Sequence, residues 1–465
     1  MSTSSEQIPL EERRQPSGPT RQQSIRTSLA GGIGTVIEWY DYGLYGLVAG
    51  LVIAPVFFPQ ATGFTGVLAA FATFAVGFIA RPIGGIVLGA LGDRIGRRPV
   101  LILSILMIGV STTLMGLIPG FATIGVWAPA LLVLLRLTQG FGAGAELAGA
   151  ITIMNESATH KRKGFFSSIA MSAGMGGTLL ASILFAVISS SLAPETFVEW
   201  GWRVPFLLSA VLTVIGLLLR RKMVESPEFE RVQAERAAGQ LPPARANALV
   251  AMARAFRASP RNFVAGFLLP TGLNATGFVV LSFGIAYIVN QIGLTSSDAL
   301  FVNLAIVVAN IVFCAAFGLL ADRIGAKRVM FIGIAGSILF AFPYFMILQT
   351  GQLALVMLAS VIMTVLGWSP GAAGHTVLMP ALFRAEYRSS GLSSSRELQG
   401  AIIAGPTPFI ATALVAALGG QPWLVACLIV VSQLLSLTGI LLGRPFISAR
   451  DRAETPAYAG IEPRS

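Results

Sequence analysis

Apolar runs of about twenty residues recur along almost the whole chain, near residues 28–54, 66–91, 99–118, 124–154, 164–190 and 203–221, then 262–289, 298–320, 328–348, 353–379, 390–418 and 422–443. A hydrocarbon layer of about 30 Å takes about 20 apolar helical residues to cross. Only helices and closed barrels satisfy their backbone groups inside it. The runs therefore predict an all-α membrane protein with twelve transmembrane helices. Composition agrees, since 54% of the 465 residues are apolar and 11% charged, too little charge for a soluble chain of this length.

The formal net charge of +11 would suggest nucleic acid in a soluble protein. Here the basic residues sit in alternate loops: Arg94, Arg97 and Arg98, then Lys161, Arg162 and Lys163, then Arg323, Lys327 and Arg328, then Arg384 and Arg388, whereas the intervening loops offer almost only Arg203. The positive-inside rule makes the basic side cytoplasmic, and an even number of spans puts both termini there. A multi-pass protein of the cell (inner) membrane is expected. Its parts would be a cytoplasmic N-terminal tail at 1–27, a six-helix half at 28–221, a central cytoplasmic loop at 222–261, a second six-helix half at 262–443 and a cytoplasmic C-terminal tail at 444–465. Two pseudo-symmetric halves of this kind are a recurrent transporter plan. Within the central loop, Leu249, Met252, Ala253 and Phe256 share a helical face beside Arg245, Arg254 and Arg257, which fits a surface amphipathic helix and a solvated linker equally.

Ionisable groups inside spans cost at least about 3 kcal/mol each on insertion scales, so they turn inward and find partners. Glu38, Asp41 and Tyr45 lie at i, i+3 and i+7 on one face of the first helix. Arg136 and Gln139 form a stripe on the fourth, with Glu146 further along. Asp41, Glu38 and Arg136 are candidates for proton coupling, because a carboxylate that gains and loses an arginine partner changes its affinity for the proton. A purely structural ion pair is the competing reading. Arg81, beside Pro82, reads as structural or gate-associated. Arg396 can offer a planar fork to a substrate carboxylate, or pair with Glu397 or another acid, although neighbouring helical residues point about 100° apart. Gln139, Arg396, Asn274 and Tyr45 are candidates for substrate binding. His375 reads as a packing residue. With His160 the only other histidine, and Cys314 and Cys427 in apolar runs, no metal site is expected. Neither a cofactor site nor an enzyme's nucleophile and base is visible.

Gly89, Asp93, Arg94, Gly96, Arg97 and Arg98, spaced GxxxDRxGRR, close the second span; Gly318, Asp322, Arg323, Gly325, Lys327 and Arg328 repeat the pattern more weakly after the eighth. The repeat resembles the loop signature of the major facilitator superfamily. That resemblance implies the twelve-helix fold and gating roles for Gly89, Asp93, Arg94, Arg97, Arg98, Asp322 and Arg323. Narrower marks are Glu38-Trp39-Tyr40-Asp41-Tyr42, Ala80-Arg81-Pro82-Ile83-Gly84-Gly85, Leu135-Arg136-Leu137-Thr138-Gln139-Gly140, Trp200-Gly201-Trp202-Arg203 and Glu225-Ser226-Pro227. Together they resemble the metabolite/proton symporter branch, with carriers for 2-oxoglutarate, shikimate, citrate, and proline or betaine. Arg396 and Ser369 stand where branch members usually carry tyrosine. Asp41 and Arg136 are placed like the first-helix carboxylate and fourth-helix arginine that link protonation to gating in the superfamily's sugar/proton symporters. Proton-coupled symport of a small organic acid by alternating access is the expectation, with substrate, proton and membrane lipid as partners and a monomer as the working unit. The alternatives are uptake of a zwitterionic osmolyte such as proline or betaine, and a metabolite-binding membrane sensor without turnover.

Overall fold

A computed structural model describes residues 21–61, 63–95, 97–144, 162–221, 248–384, 388–447 and 449–461. Every regular element among them is helical. Eleven helices are long and apolar enough to cross a membrane: α1 (Gly34–Phe57), α2 (Phe64–Leu91), α3 (Arg98–Met115), α5 (Lys163–Ser191), α6 (Phe197–Arg221), α7 (Pro260–Ile292), α8 (Ser296–Ile324), α9 (Ala326–Leu348), α10 (Leu353–Ala381), α11 (Ser390–Ala417) and α12 (Trp423–Leu442). The expected fourth span, α4, contributes Trp127–Ala143, 17 residues that run to the edge of the described region. Each helix falls on an expected apolar run.

Burial separates central from peripheral helices. In the most apolar stretch of α1, 78% of residues are buried and in that of α7 89%, against 33–50% in the other nine spans. First helices of the two halves thus share the most enclosed position, as pseudo-symmetry requires. Both also widen into i→i+5 turns, at Ala49–Ile53 in α1 and at Val279–Phe283 and Ile288–Ile292 in α7. The same widening occurs at Thr364–Trp368 in α10 and at Gly400–Ala404 in α11, just beyond Arg396. Such turns re-aim side chains without breaking a helix, and they gather at functional sites.

Small residues let the helices of the two halves meet. A Cβ at Gly318 of α8 would run into the Ser168 hydroxyl and the Gly164 carbonyl of α5. Gly89, in the stronger copy of the motif, faces open space, so close approach there does not depend on it; the Gly84 backbone carries the α2–α4 contact instead, against the Phe141 carbonyl. Ser182 of α5 donates to Asn303 Oδ1 of α8 at 2.7 Å, and Ser172 of α5 to the Ile311 carbonyl at 3.2 Å.

Helix Ala248–Ala258 occupies the second part of the expected central loop. Its inward face centres on buried Ala255 with Met252 alongside, while Phe256 stays exposed and meets the Phe263 ring edge-on at 5.4 Å. Arg245 lies outside the described residues. Past α12, Ala457, Tyr458 and Ile461 bury themselves against the α8 and α9 ends, so this part of the expected tail is docked.

Candidate functional site

Five charged residues pair in the core, and they form two systems. In the first, Arg136 of α4 reaches α1: its Nη1 donates to Asp41 Oδ2 at 3.0 Å and to Gln139 Oε1 at 2.5 Å. Gln139 Nε2 donates to the Thr112 hydroxyl of α3 at 2.7 Å, which in turn lies 3.1 Å from Asp41 Oδ1. The ring closes on itself. Arg136 Nε and Nη2 find no hydrogen-bond partner among the described residues; the guanidinium instead lies on the Tyr45 ring, 3.3 Å from its centroid. Tyr45 is itself held by a hydrogen bond to the Thr73 hydroxyl of α2. Every member belongs to the first six spans.

The second system crosses between halves. Arg81 of α2 pairs through Nη2 with Glu38 Oε1 of α1 at 2.8 Å, and grips Glu397 of α11 with Nε to Oε2 at 2.7 Å and Nη2 to Oε1 at 3.3 Å. The Tyr42 hydroxyl adds a bond to Glu38 Oε1 at 2.9 Å. All three charged groups are buried. This two-pronged grip is the strong form of an arginine–carboxylate contact. Glu38, Asp41 and Tyr45 share a face as their spacing predicts, yet the two carboxylates serve different arginines. Glu397 is taken by Arg81 and not by its neighbour Arg396.

Arg396 makes no hydrogen bond or ion pair with a described residue, although it lies in the field of Glu397, Glu38 and Arg81. Asn274 of α7 donates to Gln399 Oε1 of α11 at 2.6 Å, and buried Gln399 Nε2 has no partner among the described residues. His375 is buried with Nε2 3.0 Å from Met379 Sδ, a packing arrangement. Between the ionic systems lies a cleft of about 300 Å³, its mouth included, lined by Glu38, Asp41, Arg81, Arg136 and Gln139. Its side chains leave room for about one water at most. Tyr45, Asn274 and Arg396 do not line it in this conformation. An aromatic wall stands beside it, where Phe278 of α7 meets Phe74 and Phe78 of α2 at 5.7 Å and Tyr42 stacks on Phe78 at 5.1 Å.

Of the expected gating residues, Asp322 accepts from the backbone N–H of Gly164 at 2.7 Å and of Phe165 at 2.9 Å, capping the start of α5 from across the interface. Arg98 donates to the Arg221 carbonyl. Arg323 is exposed. Side chains of Asp93, Arg94 and Arg97, together with Gly96 and Glu146, lie outside the described residues. Among the described residues no cluster of ligands for a metal ion is present. Thr112 and Gln399 belong to the site without having been expected in it, and Arg81, expected to be structural or gate-associated, is joined there by Glu397, a pairing that was not expected. Thr112 carried one signal, a hydroxyl inside an apolar run. The others depend on how the halves are set against each other.

A helical bundle of eleven spans and the described part of a twelfth, with an enclosed, ion-paired core, has the form of a secondary transporter. The family model described as Major Facilitator Superfamily matches residues 32–406, and the chain belongs to that family: it is a multi-pass membrane transporter of small metabolites and not an enzyme. The shikimate transporter of Escherichia coli (strain K12) is 37% identical over 420 residues, covering 90% of this chain and 94% of that one. The proline/betaine transporter of Salmonella typhimurium is 31% identical over 438 residues, covering 93% and 86%. These relatives belong to the metabolite/proton symporter branch that the motifs resemble. In fold the chain is similar to the xylose transporter XylE from E. coli in a partially occluded inward open conformation, with a TM-score of 0.69 at 19% identity over 90% of this chain and 98% of that one.

Proposed function

We propose that the protein is a proton-coupled symporter that carries a small organic acid by alternating access, with both termini cytoplasmic and one chain as the working unit. The observation that carries this reading is the charge inventory of the core. In and beside the two ionic systems the described residues present three carboxylates (Glu38, Asp41, Glu397) and three guanidiniums (Arg81, Arg136, Arg396), and of these six only Arg396 lacks an ion pair with a described residue; the buried Arg220 guanidinium lies apart, in the last turn of α6, on the Leu101 carbonyl. Uncompensated charge at this depth costs several kcal/mol. A carboxylate substrate that pairs with Arg396 leaves the core one negative charge in excess, and one proton on a core carboxylate cancels it. One anion therefore travels with one proton.

Asp41, with Glu38 as its neighbour, is the group assigned to the proton, and Arg136 is the partner released when Asp41 is neutralised. Arg396, Gln139 and Asn274 hold the substrate, with Tyr45 fixing Arg136 from below. The Glu38–Arg81–Glu397 bridge and the Asp322 cap hold the two halves closed on the basic side. Arg81 is thus a gating residue in this scheme.

A second reading, uptake of a zwitterion such as betaine, is favoured by the aromatic wall of Tyr42, Phe74, Phe78 and Phe278, since ring faces attract quaternary ammonium groups. A zwitterion adds no net charge and requires no balancing proton. Uptake into proteoliposomes of labelled shikimate, mono-, di- and tricarboxylates, proline and betaine under an imposed pH gradient separates the two. Acids taken up by wild type and lost in Arg396→Ala support the first reading. Betaine or proline transported with Arg396→Ala unimpaired would overturn it in favour of the second.

A further inference from the structure

A second cavity lies away from the ionic core, among the basic-side ends of α7, α9, α10 and α12. It offers about 520 Å³ between Arg261 of α7, Lys327 of α9 and Arg444 just past α12. No acidic residue is among its described lining. The rest of the wall is mostly apolar and includes Leu269, Leu378 and Leu441.

Three features bear on what would fill it. The first is charge: three cations converge on one space, and Arg261, which already donates through Nε to the Leu442 carbonyl at 2.7 Å, keeps its remaining guanidinium N–H groups for another acceptor. The second is backbone polarity. Arg261 and Lys327 occupy the second positions of Pro260–Leu268 and of α9, and both helices begin without a capping side chain or an acidic residue in the first turn. Their positive ends therefore add to the attraction for an anion. The third is the opening. Leu441 is 63% exposed and continues the outward stripe of Val431 and Leu434 along α12, so the cavity borders the hydrocarbon and not only the aqueous loop region.

A free inorganic anion would satisfy the cations and leave the leucine wall empty. An acyl chain alone would fill the wall and leave three charges unanswered. We propose that the cavity is a binding site for an anionic phospholipid of the leaflet on the basic side, its phosphate held by Arg261, Lys327 and Arg444 and the upper part of a chain lying against Leu269, Leu378 and Leu441. Basic pockets between spans on the cytoplasmic side are suited to such headgroups. Gly460 and Ile461 also line the cavity, so the bound lipid would brace the docked C-terminal segment against the α7, α9 and α12 ends. This assignment does not depend on what the transporter carries.

The test uses the full-length protein purified in neutral detergent, with lipid retention read by native mass spectrometry and stability by thermal unfolding. Dioleoyl phosphatidylglycerol, dioleoyl phosphatidylcholine and inorganic phosphate are added separately. The expected result is retention of phosphatidylglycerol at least tenfold above phosphatidylcholine, a rise in Tm with phosphatidylglycerol alone, and a tenfold or greater loss of retention in the triple variant Arg261→Gln, Lys327→Gln, Arg444→Gln. A control that removes equal charge from exposed positions, Arg254→Gln, Arg257→Gln and Arg452→Gln, keeps retention within about twofold of wild type. Equal retention of the two lipids by wild type overturns the proposal whether or not the triple variant folds. So does stabilisation by phosphate equal to that by phosphatidylglycerol, which would mean an anion site without a lipid, or equal loss in both triple variants, which would mean diffuse attraction.

Discussion

Arg136 and Arg81 lie in the same membrane core, each buried against a carboxylate of α1, and they differ in what else holds them. Arg136 is closed within one half by Asp41, Gln139, Thr112 and the Tyr45 ring. Arg81 is divided between halves, with Glu38 on one side and Glu397 on the other. A pair inside a rigid half can change its protonation without separating the halves. A pair across the interface cannot survive the separation of the halves. The proposed scheme gives proton chemistry to the first system and closure to the second, and six single variants and one double variant would sharpen or break it.

Asp41→Asn should have the largest effect. Removing one partner of a buried pair costs about 3–5 kcal/mol, and here the loss falls on the coupling step. Accumulation driven by a pH gradient should fall at least a hundredfold in proteoliposomes, while exchange of labelled for unlabelled substrate at equal concentrations persists. Loss of both activities alike would place Asp41 in the structure and not in coupling.

The Arg81 and Glu397 variants should act on geometry. Spin-label distances between α2 and α11 on the basic side should lengthen in Arg81→Gln and in Glu397→Gln. The double variant should be no more open than either single one, because groups in direct contact are non-additive by about 0.5–3 kcal/mol. Asp41→Asn should leave those distances unchanged. Arg396→Ala comes next: losing one charge-assisted hydrogen bond, worth about 1.5–3 kcal/mol, should raise the half-saturation concentration for an acid about tenfold, again with interhelical distances unchanged. Smallest is the glycine contrast. Gly318→Ala, pressed against Ser168 and Gly164, should slow uptake severalfold, whereas Gly89→Ala, facing open space, should stay within twofold of wild type.

Much of the fold was legible because lipid demands long apolar helices and the loops label their sides. The first ionic system was legible too, because Asp41, Arg136 and Gln139 are rare polar residues at helical spacing. The second was not. Arg81 and Glu397 are 316 residues apart, and no periodicity within α2 or α11 says how the halves are set against each other. Helical spacing put Glu38 and Asp41 on one face of α1 but could not say that their divergence of about 60° around the axis lets one reach Arg81 of α2 and the other Arg136 of α4. Glu397 stood as one alternative partner for Arg396, already disfavoured because neighbouring helical residues point about 100° apart, and it is Arg81 that takes it.

Proton movement on substrate addition tests the central claim most directly. Proteoliposomes holding the wild-type protein and an internal pH dye, at equal pH and zero potential, would receive each acid of the transport panel in turn. One proton should enter with each monocarboxylate, so that a unit of pH supplies about 1.4 kcal/mol per molecule carried, and Asp41→Asn should show no proton entry. Substrate uptake by the wild type with no accompanying change in internal pH would contradict the account.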